Sequence, residues 1–330
     1  MTGTANLDRR PVEADFEPFR RELTAYCYRM LGSAFEADDA VQETMVRAWR
    51  GIDRFEGRSE LRTWLYRIAS NVCFDMLRGR QRRALPMDLS GPTSGAGPVD
   101  VPQPDLPWIG PIPDGRVVPV DADPAETAVM RESIRIAFVA ALQHLPARQR
   151  AVLILREVLK WRASEVAELL DTSVVSVNSA LQRARATLAQ SDLERTPPTI
   201  DADQQELLAR YVDAFERFDV ESLVALLHED ATMSMPPYKM WMRGADEYAR
   251  FLVGPGAACR GSRFESVEAN GAPALAQWRR NPDGGYDAWA IHVLELSDGR
   301  VAGITFFVDA ELFSLFDLPV HVDLPAHVDG

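Results

Sequence analysis

A run of hydroxyl, amide and guanidinium side chains near the middle of the chain is suited to reading DNA. The residues concerned are Ser176, Asn178, Ser179, Gln182, Arg183 and Arg185. Asparagine and glutamine can hydrogen-bond to base edges, and arginine can bond to guanine or to phosphate. The pattern therefore favours a DNA-reading surface. The alternative is the solvated face of an ordinary helical bundle, because such a helix pair also occurs in proteins that do not bind DNA.

Two short helices would present these side chains. The first is expected from Ser164, whose hydroxyl can cap the helix, to Leu170. Residues 171–173 favour a turn. The second helix is expected to begin at Val174, and its inward-facing residues would be Val174, Val177, Leu181 and Leu188. A short helix, a tight turn and a second helix with polar groups outward predict a helix-turn-helix, whose second helix fits the major groove.

Residues 14–85 predict an all-helical bundle with a second basic surface. Helices are expected over Phe16–Leu31, Glu36–Trp49 and Glu60–Arg78. The exposed face of the third helix and its flanks would carry Arg58, Arg62, Trp64, Arg67, Asn71 and Arg78. Arginines mixed with aromatic rings suit a surface that holds phosphates and stacks on unpaired bases. The alternative is that Trp64 and Tyr66 belong to the core and the arginines only solubilise the helix.

The charge of the 330-residue chain is distributed unevenly. The formal net charge is −13, but residues 1–85 carry +2 and residues 144–190 carry +3, whereas residues 191–330 carry −13. An acidic segment could shield the basic ones from non-specific DNA, because phosphate contacts supply most of that binding. The three cysteines are far apart, so we expect no metal site, no cofactor and a reducing compartment, which is the cytoplasm. The chain has no apolar run long enough to predict a membrane span or a signal peptide.

The rest of the chain consists of a linker, two further helices and a last segment of mixed structure. Residues 86–125 are rich in proline and glycine, which predicts an extended or disordered linker. Within it, Leu106–Asp114 places Trp108 and two isoleucines among prolines, so this part is either a docking segment or a passive spacer. Helices over Glu126–Leu145 and Ala147–Leu159 would pack under the helix-turn-helix.

Residues 203–320 predict an α+β unit. Two helices are expected first, over Gln204–Phe218 and Val220–Leu227. Strand-like runs follow at 231–235, 263–269, 274–280, 288–296 and 300–308, and glycine-containing turns separate them.

Three sequence runs resemble one family of bacterial proteins. DDAVQETMVRAW, FEGRSELRTWLYRIASNVCFDMLRGRQRR and the helix-turn-helix ending in LQRARATL are similar to segments of the extracytoplasmic-function (ECF) sigma factors, and they occur in the same order. The resemblance covers about 14–85 and about 126–190. It implies a non-enzymatic transcription initiation factor whose partners are core RNA polymerase and promoter DNA, with an anti-sigma protein as a further candidate partner. It also implies that the linker runs through the polymerase towards the RNA exit path.

The resemblance assigns roles to individual residues. The surface that grips core polymerase would be formed by Asp38, Asp39, Gln42, Glu43 and Thr44. The −10 promoter element would be opened and held by Arg58, Arg62, Trp64, Arg67, Asn71 and Arg78. The −35 element would be read by Ser176, Asn178, Ser179, Gln182, Arg183 and Arg185. The chain departs from common relatives at Asn178 and Ala180, where arginine is frequent, and at Asp171, where many helix-turn-helices carry glycine.

The last segment resembles a second family. The run AFERFDVESLVALLHEDATMSMPP is similar to the SnoaL-like, ketosteroid-isomerase-like fold, in which a curved sheet surrounds a conical pocket. Candidate pocket residues are Trp241, Trp278, Trp289, His292 and Asp309. The position of the carboxylate base in isomerases falls on Met235, which cannot take a proton, so catalysis is not expected. We expect regulation in cis, with a small ligand as a candidate effector and with a regulatory turn at Asn281, Pro282, Asp283 and Gly284.

The expected architecture is multidomain. Two all-α domains, a helical bundle (14–85) and a helix-turn-helix domain (126–190), are joined by the linker (86–125) and followed by an α+β conical barrel (203–320). The expected function is that of an alternative sigma factor. The alternatives are a helix-turn-helix repressor or activator fused to a ligand-sensing domain, and an enzyme with a DNA-binding appendage, which Met235 disfavours.

Overall fold

The computed structural model describes residues 16–55, 57, 59–119, 123–189 and 202–323. The chain forms two compact units. The described residues of the first unit lie within 16–81, 116–119 and 141–189, and those of the second lie within 82–115, 123–140 and 202–323. The described α-helices are α1 Arg20–Leu31, α2 Ala34–Gly51, α3 Leu61–Leu77, α4 Pro124–Glu132, α5 Ile136–Gln143, α6 Ala147–Leu153, α7 Ala163–Leu169, α8 Val174–Leu188, α9 Ala202–Glu216, α10 Val220–Ala225 and α11 Ala245–Val253.

In the first unit, helices α1, α2 and α3 form a bundle. Gly32 ends α1 with φ at 73°, and its N–H donates to the Tyr28 carbonyl at 2.7 Å. Ser33 then caps α2, because its hydroxyl accepts the Glu36 N–H. A left-handed glycine and a serine cap are common helix-end signals, and together they fix the sharp reversal between the first two helices.

The helix-turn-helix is formed by α7 and α8. The second helix begins at Val174, as predicted. The first helix begins at Ala163, and the cap predicted at Ser164 is wrong. The Glu165 carboxylate instead accepts the N–H of Arg162 at 2.6 Å, which satisfies that backbone group. The prediction that Val174 faces inward is also wrong, because its side chain is 42% exposed and Ala184 takes the buried position.

The single helix predicted over Glu126–Leu145 is divided into α4 and α5. The break has a physical cause in the second unit. The carbonyl of Ile134 accepts a hydrogen bond from the Asn270 side chain at 2.7 Å instead of continuing the helix. The predicted Ala147–Leu159 helix is α6, which continues as a π-helical turn over Ile154–Val158.

The C-terminal module (residues 202–323) is an α+β fold around one mixed sheet. Its described strands are β1 Leu227–Ser234, β2 Trp241–Arg243, β3 Arg263–Ala269, β4 Ala272–Arg280, β5 Tyr286–Ser297, β6 Arg300–Phe307 and β7 His321–Val322. The strand order is β2-β1-β6-β5-β4-β3, with β7 on β5. Strands β1 and β6 are parallel, and the other pairs are antiparallel. The sheet is open, because β2 and β3 are edges. Tyr211 and Phe215 of α9 pack with Leu275, Leu294 and Ile304 of the sheet.

The linker is ordered where the structure describes it, so the expectation of an extended or disordered segment is wrong for residues 86–119. Ile109 and Ile112 are fully buried. Residue Ala84 forms a parallel bridge with Trp108, and Pro113 forms an antiparallel bridge with Ala269 at the end of β3. Of the two interpretations of the 106–114 segment, the structure supports docking.

Candidate nucleic-acid interface and linker contacts

The face of α8 that points away from its core carries most of the predicted −35 residues. Val177, Leu181 and Ala184 are buried, and α8 packs on α6 and α7. Ser176, Asn178, Gln182 and Arg183 are therefore exposed, and Ser179 is half-buried. Arg185 is exposed but bound, because its Nη2 atom lies 2.5 Å from the Glu157 carboxylate. The structure thus brings five of the six residues together on one free surface.

The turn before α8 forms without glycine. Asp171 has φ at 50°, in the left-handed region. Aspartate tolerates that region better than most residues, so the departure from glycine leaves the helix-turn-helix intact. Ser173 then caps α8, because its hydroxyl accepts the Ser176 N–H at 3.1 Å.

Two apolar residues at the start of α8 were missed as candidates. Val174 is 42% exposed and Val175 is 74% exposed. Val175 lies one helical turn before Asn178 and two before Gln182, so helical spacing alone could have placed it on the same face. An exposed apolar group there can contact the methyl group of thymine.

The predicted −10 residues on α3 lie in different environments. Asn71 and Arg78 are exposed, and Arg78 pairs with Asp75 at 3.0 Å. Trp64 is half-buried, with its ring 5.0 Å from that of Phe55 and 6.4 Å from that of Phe16. Tyr66 is fully buried, so the core alternative was correct for this residue. Arg58 lies outside the described residues.

Arg62 and Arg67 are occupied by contacts within the first unit. Arg62 forms a bidentate pair with Glu22, with Nη2 and Oε2 2.6 Å apart, and its guanidinium lies 5.4 Å from the Trp161 ring. Arg67 donates from Nη2 to the Glu168 carbonyl at 3.1 Å. Trp161 and Glu168 belong to the helix-turn-helix part of the unit. Two arginines expected on promoter DNA are therefore bound to the protein itself.

A buried arginine strengthens the contact between the two helical parts of the first unit, which are the α1–α3 bundle and the part that contains the helix-turn-helix. Arg150 is only 4% exposed. Its guanidinium donates to the Met30 carbonyl, to the Gln143 side chain at 2.7 Å and to the Leu145 carbonyl at 3.1 Å. Burial lowers the pKa of Arg150 to about 10, so it remains a cation at neutral pH. Met30 is in the last turn of α1, where the helix dipole favours a positive charge.

The outer face of α2 presents the residues predicted to bind polymerase, with one exception. Asp39 and Gln42 are exposed. Asp38 accepts a hydrogen bond from Arg116 at 2.6 Å, and Glu43 pairs with Arg47 at 2.7 Å. Thr44 is a correction to the prediction. It is fully buried, and its hydroxyl donates to the Ala40 carbonyl at 2.7 Å, so it cannot meet a partner.

Sequence reasoning also missed an exposed apolar extension of this surface. Val46 is 39% exposed and Trp49 is 60% exposed. Both lie on α2 at helical spacing from Gln42, which is the signal that could have found them.

The comparisons with known proteins match these parts in order. Residues 16–83 match the Sigma-70 region 2 family, residues 135–188 match Sigma-70 region 4, and residues 208–304 match the SnoaL-like domain. The ECF RNA polymerase sigma factor SigG of Mycobacterium tuberculosis is 44% identical over 96% of this chain and 86% of its own length. The chain belongs to the ECF RNA polymerase sigma factors. Sigma factors are not enzymes, in agreement with the expectation from Met235.

A second relative and a solved structure have the same architecture as this sigma factor. SigJ of M. tuberculosis is 29% identical over 73% of this chain and 72% of its own length. The crystal structure of SigJ aligns with a TM-score of 0.60 at 22% identity, over 93% of this chain and 99% of that chain, which shows a shared fold. The boundaries 14–85, 86–125, 126–190 and 203–320 stay predictions. In the described part of the sigma factor, no helix is both long and apolar enough to cross a membrane.

The linker of the sigma factor is bound along one side of the C-terminal module. Thr93 donates from its N–H and its hydroxyl to the Trp241 carbonyl, at 2.7 and 2.8 Å. The Trp241 indole donates back to the Ser90 carbonyl at 2.8 Å. The Gly95 N–H donates to the Glu247 carboxylate at 2.8 Å, and the Gln103 N–H donates to the Pro237 carbonyl at 2.8 Å. A Cβ atom on Gly95 would lie 1.9 Å from the Glu247 carbonyl oxygen, so this approach requires glycine.

The turn between β3 and β4 holds the end of the linker and the end of α4 together. Asn270 is fully buried with φ at 57°. Its Oδ1 accepts the Ile112 N–H at 3.0 Å, its N–H donates to the Ile112 carbonyl at 3.0 Å, and its Nδ2 donates to the Ile134 carbonyl at 2.7 Å. The Gly271 N–H donates to the Asp114 carboxylate at 2.8 Å. We call Asn270 and Gly271 the clamp turn.

Asp114 is a charged residue of the described linker that is buried at this contact. It is 4% exposed, and the Arg131 Nε lies 3.5 Å from its Oδ2. Burial raises the pKa of the Asp114 carboxyl to about 6, although the Gly271 N–H and Arg131 oppose the shift. The contact therefore contains a carboxyl that titrates near neutral pH.

The predicted regulatory turn lies between β4 and β5, and its described contacts are local. The Asn281 side chain accepts the Asp283 N–H at 2.8 Å and donates to the Asp287 carboxylate at 2.7 Å. Pro282 and Asp283 are exposed at the tip, and Gly284 is half-buried. Nothing in these contacts tests a regulatory role, which stays a prediction.

The C-terminal module contains a cavity of about 210 Å³. Of the five predicted pocket residues, Trp289 lines this cavity and the others do not. Trp278 donates to the Pro319 carbonyl, Trp241 bonds the linker, and Asp309 caps the 3-10 helix Ala310–Phe316. His292 is fully buried and bonds Gln277 at 2.8 Å, and burial lowers its pKa to about 3, so it is neutral. Met235 lines the cavity, and no described lining residue is a carboxylate.

Proposed function

We propose that this alternative sigma factor binds core RNA polymerase through the outer face of α2 and reads promoters through α8 and α3. The observation that carries the proposal is the free polar face of α8 in a chain that has both sigma regions. Because RNA polymerase acts in the cytoplasm, we place the protein there as well.

The −35 element is read by Asn178, Ser179, Gln182 and Arg183, together with Val175. The amides suit adenine, and the arginine suits guanine or phosphate. Val175 adds contact with a thymine methyl group, since its exposed side chain has no packing role in α8. Arg185 is held by Glu157 and supports the helix more than it contacts bases.

The −10 element is opened by the α3 surface only after a rearrangement. Trp64 and Asn71 are accessible at least in part, but Arg62 and Arg67 are bound to Glu22 and Glu168. Promoter phosphates can compete for these arginines, because arginine forms bidentate bonds to phosphate as readily as to carboxylate. The free protein is therefore closed, and promoter opening requires the two helical parts to separate.

The C-terminal module regulates this separation in cis by holding the linker. The linker joins the two sigma regions, and the module binds it at Thr93, Gly95, Gln103 and Ile112. A linker that is bound along its length is not free to enter the polymerase. The clamp turn also fixes the start of the following helical part through Ile134. Release of the linker therefore accompanies activation.

Binding to core polymerase tests the first part of the proposal. Asp39→Lys reverses an exposed charge on α2 and is expected to weaken binding of the full-length protein to core polymerase about tenfold or more, as measured by fluorescence anisotropy. Asp230→Lys makes the same charge change at an exposed position of β1 in the C-terminal module and should leave binding unchanged. Equal affinities of the two variants would remove α2 from the proposed interface.

A further inference from the structure

The cavity of the C-terminal module has the size of a small ring compound. An apolar cavity of about 150 Å³ is known to hold benzene. At about 210 Å³, this cavity is about 1.4 times as large, so it can hold a ligand of roughly eight or nine non-hydrogen atoms. Aromatic side chains form much of the wall, including Phe215, Tyr248, Phe251, Trp289 and Phe306. Such a wall selects a flat apolar ring.

Among the described residues that line the cavity, Arg279 is the charged one. The Arg279 guanidinium lies 4.2 Å from the centroid of the Trp289 ring and donates from Nε and Nη2 to the Ala258 carbonyl. In the described part of the chain, Arg279 has no carboxylate partner. Two N–H groups of the guanidinium are used by the Ala258 carbonyl, and its remaining N–H groups can still bind an anion. A cation at an apolar wall favours an anionic ligand, because charge-assisted bonds gain strength where water is scarce.

The other polar groups at the cavity carry no charge. The Gln277 amide bonds neutral His292 and the Ser262 hydroxyl. Burial raises the pKa of the Cys259 thiol, which keeps it protonated. The described lining of the cavity therefore offers a ligand one positive charge and no negative charge.

The linker contributes to the wall. Val99 lines the cavity and lies between Gly95 and Gln103, two points where the linker is bound to the module. Glu247, which binds Gly95, is on α11, the helix that also supplies Tyr248 and Phe251 to the wall. A ligand in the cavity therefore touches both the linker and the helix that holds it.

We propose that the cavity binds a small aromatic carboxylate of one ring, with the ring against the aromatic wall and the carboxylate on Arg279, and that the bound ligand stabilises the docked linker. This inference goes beyond the proposed function and does not depend on polymerase or promoter binding. The ligand would act as an effector of the sigma factor. No covalent step is involved.

The test compares three probes on the full-length protein by isothermal titration calorimetry. Benzoate has both the ring and the charge, benzamide has the ring alone, and acetate has the charge alone. We expect benzoate to bind at least about tenfold more tightly than either of the others, which is the size of one charge-assisted interaction. Arg279→Gln should reduce benzoate binding to the level of benzamide and leave benzamide binding unchanged, which also shows that the variant keeps its cavity.

Arg280→Gln is the matched control, since Arg280 is the next residue on β4 and is exposed. This variant should bind benzoate as the unaltered protein does. Benzoate should also slow hydrogen exchange of the Gly95 and Gln103 amides, which bond to Glu247 and Pro237. Equal binding of benzoate and benzamide, or loss of benzoate binding in Arg280→Gln as well, overturns the role of Arg279. Absence of binding by all three probes overturns the site, and binding without slower exchange overturns the effect on the linker.

Discussion

Replacing Asn270 with glycine should release the linker from the C-terminal module. Glycine adopts the left-handed conformation of this residue, at φ 57°, without strain, so the turn between β3 and β4 is retained. The side-chain bonds to the Ile112 N–H and the Ile134 carbonyl are lost. Each buried group left without its partner costs about 1–3 kcal/mol. The state in which the linker is docked on the module should therefore be destabilised by about 2–6 kcal/mol.

Even the lower end of this range corresponds to about a 30-fold change in the docking equilibrium. Hydrogen exchange of residues 105–118, measured by mass spectrometry, should accelerate by at least that factor. Asp298→Gly is the matched control, because Asp298 also has a left-handed φ, of 49°, in a hairpin turn, between β5 and β6, and its described side-chain bond is to its neighbour Ser297. The first variant should also give more run-off transcript with core polymerase than the control. If hydrogen exchange and transcript yield are the same in the two variants, the claim that the clamp turn is a regulatory contact is refuted.

Three further predictions concern other parts of the molecule. Arg150→Met removes the buried guanidinium from the Met30 carbonyl and should lower the free energy of unfolding by about 2–4 kcal/mol, measured by urea denaturation; an unchanged midpoint would contradict a structural role. The pKa of Asp114 is raised in the folded state from 3.8 to about 6, so the folded protein binds the proton more tightly than the unfolded chain. The contribution of Asp114 to the free energy of unfolding should therefore decrease by about 1.4 kcal/mol per pH unit as pH rises from about 4 to about 6, and Asp114→Asn, which leaves the facing Arg131 and Glu268 in place, should remove this contribution in calorimetry. Val175→Ala should weaken holoenzyme binding to a thymine-containing −35 duplex about fourfold, because the thymine methyl group that Val175 covers is then left exposed and one buried methyl group contributes about 0.8 kcal/mol. Deoxyuridine at the contacted thymine should have the same effect on the unaltered protein and no further effect on the variant.

The parts of the fold that local signals determine were predictable. Helical spacing placed the three helices of the bundle within a few residues, and the 171–173 turn placed the start of the second helix of the helix-turn-helix at Val174. The polar face of α8 followed from helical spacing for the same reason. These features depend on neighbours in the sequence, which the pattern records directly.

The features that were missed depend on distant residues. Asn270 interrupts the predicted Glu126–Leu145 helix from more than a hundred positions away. The family resemblance placed Thr44 on the polymerase-binding surface, and the sequence left Tyr66 undecided between surface and core. Tertiary packing buries both residues. The linker composition predicted disorder, but Trp241 and Glu247 of the C-terminal module supply the partners that its backbone needs. Composition cannot show such partners.

In the C-terminal module, sequence-based prediction was limited in the same way for the linker contacts and for the cavity. The strand-like runs were located, but the short β2 and helix α11 were not, and these carry Trp241 and Glu247, which bind the linker. The cavity could not be assembled from spacing, because its wall joins α9, α11, three strands of the sheet and the linker. The absence of a carboxylate base at Met235 was readable from the sequence, and the described cavity lining agrees with it.

Run-off transcription with core RNA polymerase tests the central claim most directly. The full-length protein is added to core polymerase on the promoter of its own gene, and core polymerase alone is the control. The sigma-factor account predicts a discrete transcript that requires both components and that increases when Asn270→Gly releases the linker. A footprint on duplex DNA in the absence of polymerase, with no binding to core and no transcript, would contradict the account and favour a helix-turn-helix repressor.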